Sequence, residues 1–214
     1  LDMLETSLSD VPKRHQSLRG VFEHSWQLLK PKEQEVLRRL SVFRGGFRRE
    51  AAAEVTGATL PILRSLVDKS LLRASIHGRY DCHPLICQYM QEKLAGHPEE
   101  RAEMQDRHGT YYFKWLGLKA EELRGKNEKE ALIAVSEELE NLRAAWRWAV
   151  EQTDLDKLKF AHTFMLYFDS RARYQEGAEL FAETAKALDE KNPAHHTALG
   201  AVLIEQAWLE QQQS

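Results

Sequence analysis

One stretch of this chain breaks the helical period, and it limits the fold more than any other feature. Between residues 71 and 82 the apolar positions stop recurring every three or four residues. Two short runs, 71–75 and 79–82, flank Ile76-His77-Gly78. Short runs on either side of a glycine-bearing turn predict a β-hairpin. The remaining apolar pattern is helical, so the expected fold is mainly α with one small hairpin as its β component.

Upstream of the hairpin, Leu18, Val21, Phe22, Trp26 and Leu29 fall on one face of a helix predicted over 17–29. Lys30-Pro31 interrupts it. Pro31 suits the first turn of a second helix bearing Val36, Leu37 and Leu40, because its missing N–H has no intrahelical partner to lose there. Gly45-Gly46 ends that region, a short helix over 51–55 stops at Gly57, and Thr59 can cap a helix over 60–70. After the hairpin, Pro84 opens a helix closed by Gly96 and Pro98. Helix, helix, helix, hairpin, helix is the order of a winged helix. We place a linker over 1–10 and the winged-helix domain over 11–97.

From Glu99 onward there is no strand signal. Helices are predicted over 99–123, 129–152, 155–170, 176–188 and 194–211, and their short links imply antiparallel neighbours. Gly177 and Ala178 allow close helix approach, Ala187-Leu188 packs the far end, and Pro193 ends the unit. This pattern resembles the second helix of a tetratricopeptide repeat. Residues 98–214 are thus expected to form a tetratricopeptide-like helical-repeat array that stops within a repeat. With Leu1 at one end and Ser214 at the other, the chain reads as a piece of a longer protein.

Charge and composition narrow the chemistry. The net charge is −3, divided into +2 over residues 1–100 and −5 over the rest. That is not the basic footprint of a dedicated nucleic-acid binder. No apolar run reaches membrane-spanning length, so no membrane partner is expected. Cys82 and Cys87 lie too close in sequence to staple a domain and read as thiols in a reduced, cytoplasmic setting. With His83 they lack an obvious fourth ligand, so no metal site is expected. The pairs Glu121-Glu122 and Glu137-Glu138 read as helix surface. No G-x-x-x-x-G-K-[ST] phosphate loop and no nucleophile–base constellation occurs, so the chain is not expected to be an enzyme and no cofactor is assigned to it.

An ordered set of segments carries a resemblance. It comprises Arg14-His15-Gln16-Ser17-Leu18-Arg19, Ser25-Trp26-Gln27-Leu28-Leu29, residues 40–47 (LSVFRGGF), residues 66–72 (LVDKSLL) and residues 140–149 (ENLRAAWRWA). The set resembles the winged-helix and repeat-sensor segment of bacterial STAND proteins, the signal-transduction ATPases related to plant disease-resistance proteins and the apoptotic protease activating factor. The resemblance implies an upstream nucleotide-binding domain in the same chain, with ADP or ATP and magnesium, and a slow ATPase activity in the parent. It also implies an activating protein, peptide or small molecule on the helical repeats, and oligomerisation on activation. The family's Met-His-Asp motif falls on Cys82-His83-Pro84, which makes His83 the expected nucleotide-sensing residue. Cysteine and proline stand in place of the methionine and the aspartate.

Two further groups are candidates. Arg48, Arg49, Arg64, Lys69 and Arg73 surround the helix that would read DNA in a winged helix, and could serve DNA or an interdomain face. Trp146, Tyr167 and Tyr174 could line a ligand groove on the repeats, against the plainer alternative of helix–helix core. The switch reading does not take DNA as the partner of this winged helix. A DNA-binding winged-helix transcriptional regulator and a protein-binding repeat scaffold are its alternatives.

Overall fold

The computed structural model describes residues 13–213, with side chains from residue 19 onward; the linker expected over 1–10 lies outside the described residues. The chain is mainly helical, with one small three-stranded sheet. Its helices are α1 (Lys13–Gln27), α2 (Pro31–Arg39), α3 (Arg49–Thr56), α4 (Leu60–Asp68), α5 (Pro84–Ala95), α6 (Pro98–Glu122) and α7 (Glu128–Glu151). Four more follow: α8 (Leu155–Leu158), α9 (Ala161–Ser170), α10 (Tyr174–Ala187) and α11 (His196–Gln211). Pro31, Pro61, Pro84 and Pro98 each sit in the first two positions of a helix, where a fixed φ helps and a missing N–H costs nothing.

The strands are β1 (Phe47–Arg48), β2 (Arg73–Ala74) and β3 (Arg79–Asp81), in the order β1-β3-β2 and antiparallel throughout. The hairpin β2–β3 matches the sequence expectation. Strand β1 does not: the sequence shows only a glycine pair followed by one aromatic. Gly46 is what lets β1 dock. Its φ of +88° suits glycine, and an added Cβ would lie 2.8 Å from the Tyr80 carbonyl oxygen. Phe47 is then buried and stacks on Tyr80 across the strand pair.

A second difference lies at 155–170, predicted as one helix. It breaks into α8 and α9 at Lys159-Phe160, and the Phe160 ring then stacks on Phe113 of α6. The long pair α6 and α7 forms the spine of the structure. The apolar core is continuous from Val36, Leu37 and Leu63 through Tyr112, Leu116 and Leu142 to Trp146, Phe164 and Phe181. Gly177 permits the tight packing of α10, since a Cβ there would meet Leu209 of α11 at 2.5 Å and Phe168 of α9 at 2.8 Å. Among the described residues no helix is long and apolar enough to cross a membrane.

Candidate functional site

His83 is the N-cap of α5, and its side chain is exposed. Its Nδ1 accepts a hydrogen bond from the Leu85 N–H at 3.3 Å. In the neutral ring this leaves the proton on Nε2, which has no protein partner among the described residues. The structure therefore presents an N–H donor beside a helix N-terminus, an arrangement that favours anions. Cys82 and Cys87 form a disulfide around it, with Cα atoms 5.9 Å apart. This corrects the expectation of two free thiols. Five residues are too few to staple a domain, but across a strand-to-helix turn they bring the two Cα atoms within bridging distance.

The five basic candidates differ in their partners. Arg48 pairs with Glu137 of α7 at 2.5 Å, and Arg49 with its neighbour Glu50 at 3.2 Å. Lys69 turns inward to Glu33 of α2 at 2.8 Å and to the Ser65 hydroxyl at 3.0 Å. Arg73 makes a two-pronged pair with Asp81, its register partner on β3, both bonds at 2.9 Å. Arg64 alone of the five has no charged partner among the described residues; it is exposed on α4. Four of the five thus have a carboxylate partner in the chain, and Lys69 pairs with a buried one.

The aromatic candidates divide similarly. Trp146 is 1% exposed and donates its indole N–H to Thr184 Oγ1 at 2.8 Å. Tyr167 is equally buried and its hydroxyl meets Ser136 Oγ at 3.0 Å. Both are buried between helices, and Trp146 also forms part of the wall of a small pocket with Arg147, Leu180 and Glu183. Tyr174 is half-buried at the start of α10 and packs against the same core.

Sequence reasoning missed the polar junction between the strand-bearing part and α6–α7. Glu138, expected on a helix surface, is 3% exposed. It pairs with the Arg79 guanidinium and accepts from Tyr112 at 2.9 Å and from Asn141 Nδ2 at 3.0 Å. Burial and the Glu138 carboxylate push the Tyr112 phenol pKa far up, which keeps it a donor. Asn141 is fully buried. Its Nδ2 also donates to the Gly46 carbonyl at 2.8 Å, and its Oδ1 accepts from the Arg44 backbone N–H at 2.7 Å. The same oxygen faces His108 Nε2 at 3.4 Å, which fixes the proton of the neutral ring on that nitrogen. Burial, with the Arg44 charge adding to it, lowers the His108 pKa to about 4, so the ring is neutral near pH 7. The one usable signal in the sequence was the asparagine itself, a residue with two donors and an acceptor between Leu139 and Leu142 on a predicted helix.

No protein-family model matches the chain, and no solved structure matches it. Among curated proteins it is similar to one from Mycobacterium bovis and to two from strains of Mycobacterium tuberculosis, each bearing the name "Putative HTH-type transcriptional regulator". Each is 33% identical over an alignment of 192 positions that takes in 84% of this chain. The chain spans about a fifth (21%) of the length of these relatives.

Proposed function

We propose that this chain is a segment of a transcriptional regulator of the helix-turn-helix class, and that it relays a signal there rather than reading base sequence. In this reading the part carrying the three strands is a winged helix, and the helices beyond it form a tetratricopeptide-like array that receives a protein or small-molecule partner. The names of the three similar proteins support the regulatory class. The observation that carries the relay role is that Lys69 of α4 is drawn inward to the buried Glu33, while Arg48, Arg49 and Arg73 each face a carboxylate of the same chain. A base-reading surface needs free donors for phosphates and base edges, and α4 offers Arg64 beside the acidic Asp68. Titration of the chain with a labelled DNA duplex tests this. Weak binding indifferent to sequence is expected. Sequence-preferring binding with a steep salt dependence, lost in Arg64→Ala, would make α4 the DNA reader instead.

A second reading is favoured by the exposed Nε2–H of His83 beside the α5 N-terminus. Here the regulator is a STAND-type switch, and His83 contacts a phosphate of ADP held by an upstream nucleotide-binding domain. His83→Ala in the longer protein is then expected to speed ADP release and raise basal activity. Unchanged ADP retention would remove His83 from the mechanism.

A further inference from the structure

A cavity of about 360 Å³ opens where the loop after α2 meets α5, α6 and α7. That volume suits a small molecule and is too small for a folded partner. Its lining includes Ser41, Arg44, Arg101, Gln105 and Trp148. The charges there are not balanced within the chain. Arg44 donates Nη1 to two neutral carbonyls, Ser41 at 2.8 Å and Phe43 at 3.2 Å. Arg101 is exposed and has no carboxylate partner among the described residues. The acidic residue in the lining, Glu92, is already paired with Arg19 at 2.6 Å. His108, also in the lining, is neutral near pH 7. The two guanidiniums lie close enough that burial and the Arg101 charge both lower the Arg44 pKa.

A second, independent observation marks the same place. Ser41 is 2% exposed, and its Oγ is a buried side-chain polar atom with no hydrogen-bond partner among the described residues. Such a group carries a desolvation cost that a ligand atom would offset. Trp148, half-buried on α7, adds an aromatic face to the lining.

We propose that this cavity binds a small phosphate monoester with a flat ring, its phosphate held by Arg44, Arg101 and the Ser41 hydroxyl and its ring lying against Trp148. Two guanidiniums match the charge and the oxygen geometry of a phosphate dianion. Base-like or aryl rings stack on indole regardless of their edge pattern. The walls come from both the strand-bearing part and the long helices, so an occupant ties the two together. The binding claim does not depend on the regulatory reading above.

The test is a titration of the 214-residue chain with phenyl phosphate at fixed ionic strength, followed calorimetrically. Saturable one-to-one binding is expected, tighter than that of inorganic phosphate, which lacks the ring. Arg101→Gln should weaken phenyl phosphate roughly tenfold or more with no change in thermal unfolding, because the side chain is exposed. Ser41→Ala should weaken it severalfold without loss of stability. Absence of saturation by about 10 mM, or equal affinity in wild type and Arg101→Gln, overturns the site. Equal affinity for phosphate and phenyl phosphate overturns the ring seat on Trp148.

Discussion

Glu138→Ala is expected to lower the unfolding free energy by about 3–5 kcal/mol, the range for removing one partner of a buried ion pair. The Arg79 side chain is 15% exposed and would be left without its carboxylate. Tyr112 and one Asn141 N–H would lose their acceptor in the same step. Glu138→Gln keeps the shape but brings an N–H₂ group into a site where all three neighbours donate, so it should cost nearly as much. Glu137→Ala is the control. Glu137 is about one-third exposed and pairs with the half-exposed Arg48, and an exposed pair contributes roughly 0–1 kcal/mol. Urea unfolding of the three variants measures the difference. Equal small losses in Glu138→Ala and Glu137→Ala would show that the buried carboxylate does not hold the junction.

Acid should weaken the chain in two separable steps. His108 has a pKa of about 4 when folded, against about 6.5 in an unfolded chain. Below about pH 6.5 the unfolded state therefore takes up a proton that the folded state refuses. The stabilisation is complete above that value and is lost as pH falls toward 4. One pKa unit corresponds to about 1.4 kcal/mol, so roughly 2 kcal/mol disappears between about pH 7 and pH 5. The second step is led by Glu33, with Glu23, Glu35, Glu50, Glu100 and Glu176 also held below the usual carboxylate range. Burial alone would raise the Glu33 pKa, but hydrogen bonds from Lys69, Ser65 and the Lys30 N–H outweigh burial and bring it to about 2. Its contribution is present above the usual carboxylate pKa of about 4.3 and is lost as pH drops toward 2. Denaturant unfolding across this range should show the first step vanish in His108→Gln and the second shrink in Glu33→Gln. A first step that persists in His108→Gln would assign it to another group.

The helices were legible because their apolar residues repeat over many turns, and the hairpin because Gly78 separates two short runs that do not. Strand β1 was not legible, since two residues carry no period. The break at Phe160 was hidden because the apolar pattern runs on through it; the ring turns to Phe113 only once α6 is alongside. The candidate site was legible in residue type but not in partnership. A sequence shows that Lys69 and Arg73 are cations; that Glu33 and Asp81 neutralise them depends on register and helix packing. Glu138 reads as surface because its neighbours do, and its burial follows from Arg79, 59 residues away along the chain. Trp146 and Tyr167 illustrate the converse case, large aromatic rings whose polar ends are satisfied inside the helix stack.

Asn141 has a mechanical consequence. Two acceptors and two donors converge on its one amide, three of the four from outside α7 and the fourth, Glu138, from one turn earlier on the same helix. The contacts are coupled, because a rotation of the amide would misalign all of them together. A joint built this way behaves as a latch and not as a spring: it is shut or it is open, with no graded slack between. Mechanical input to the long helices would thus reach the strand-bearing part through this amide and the neighbouring Glu138–Arg79 pair together.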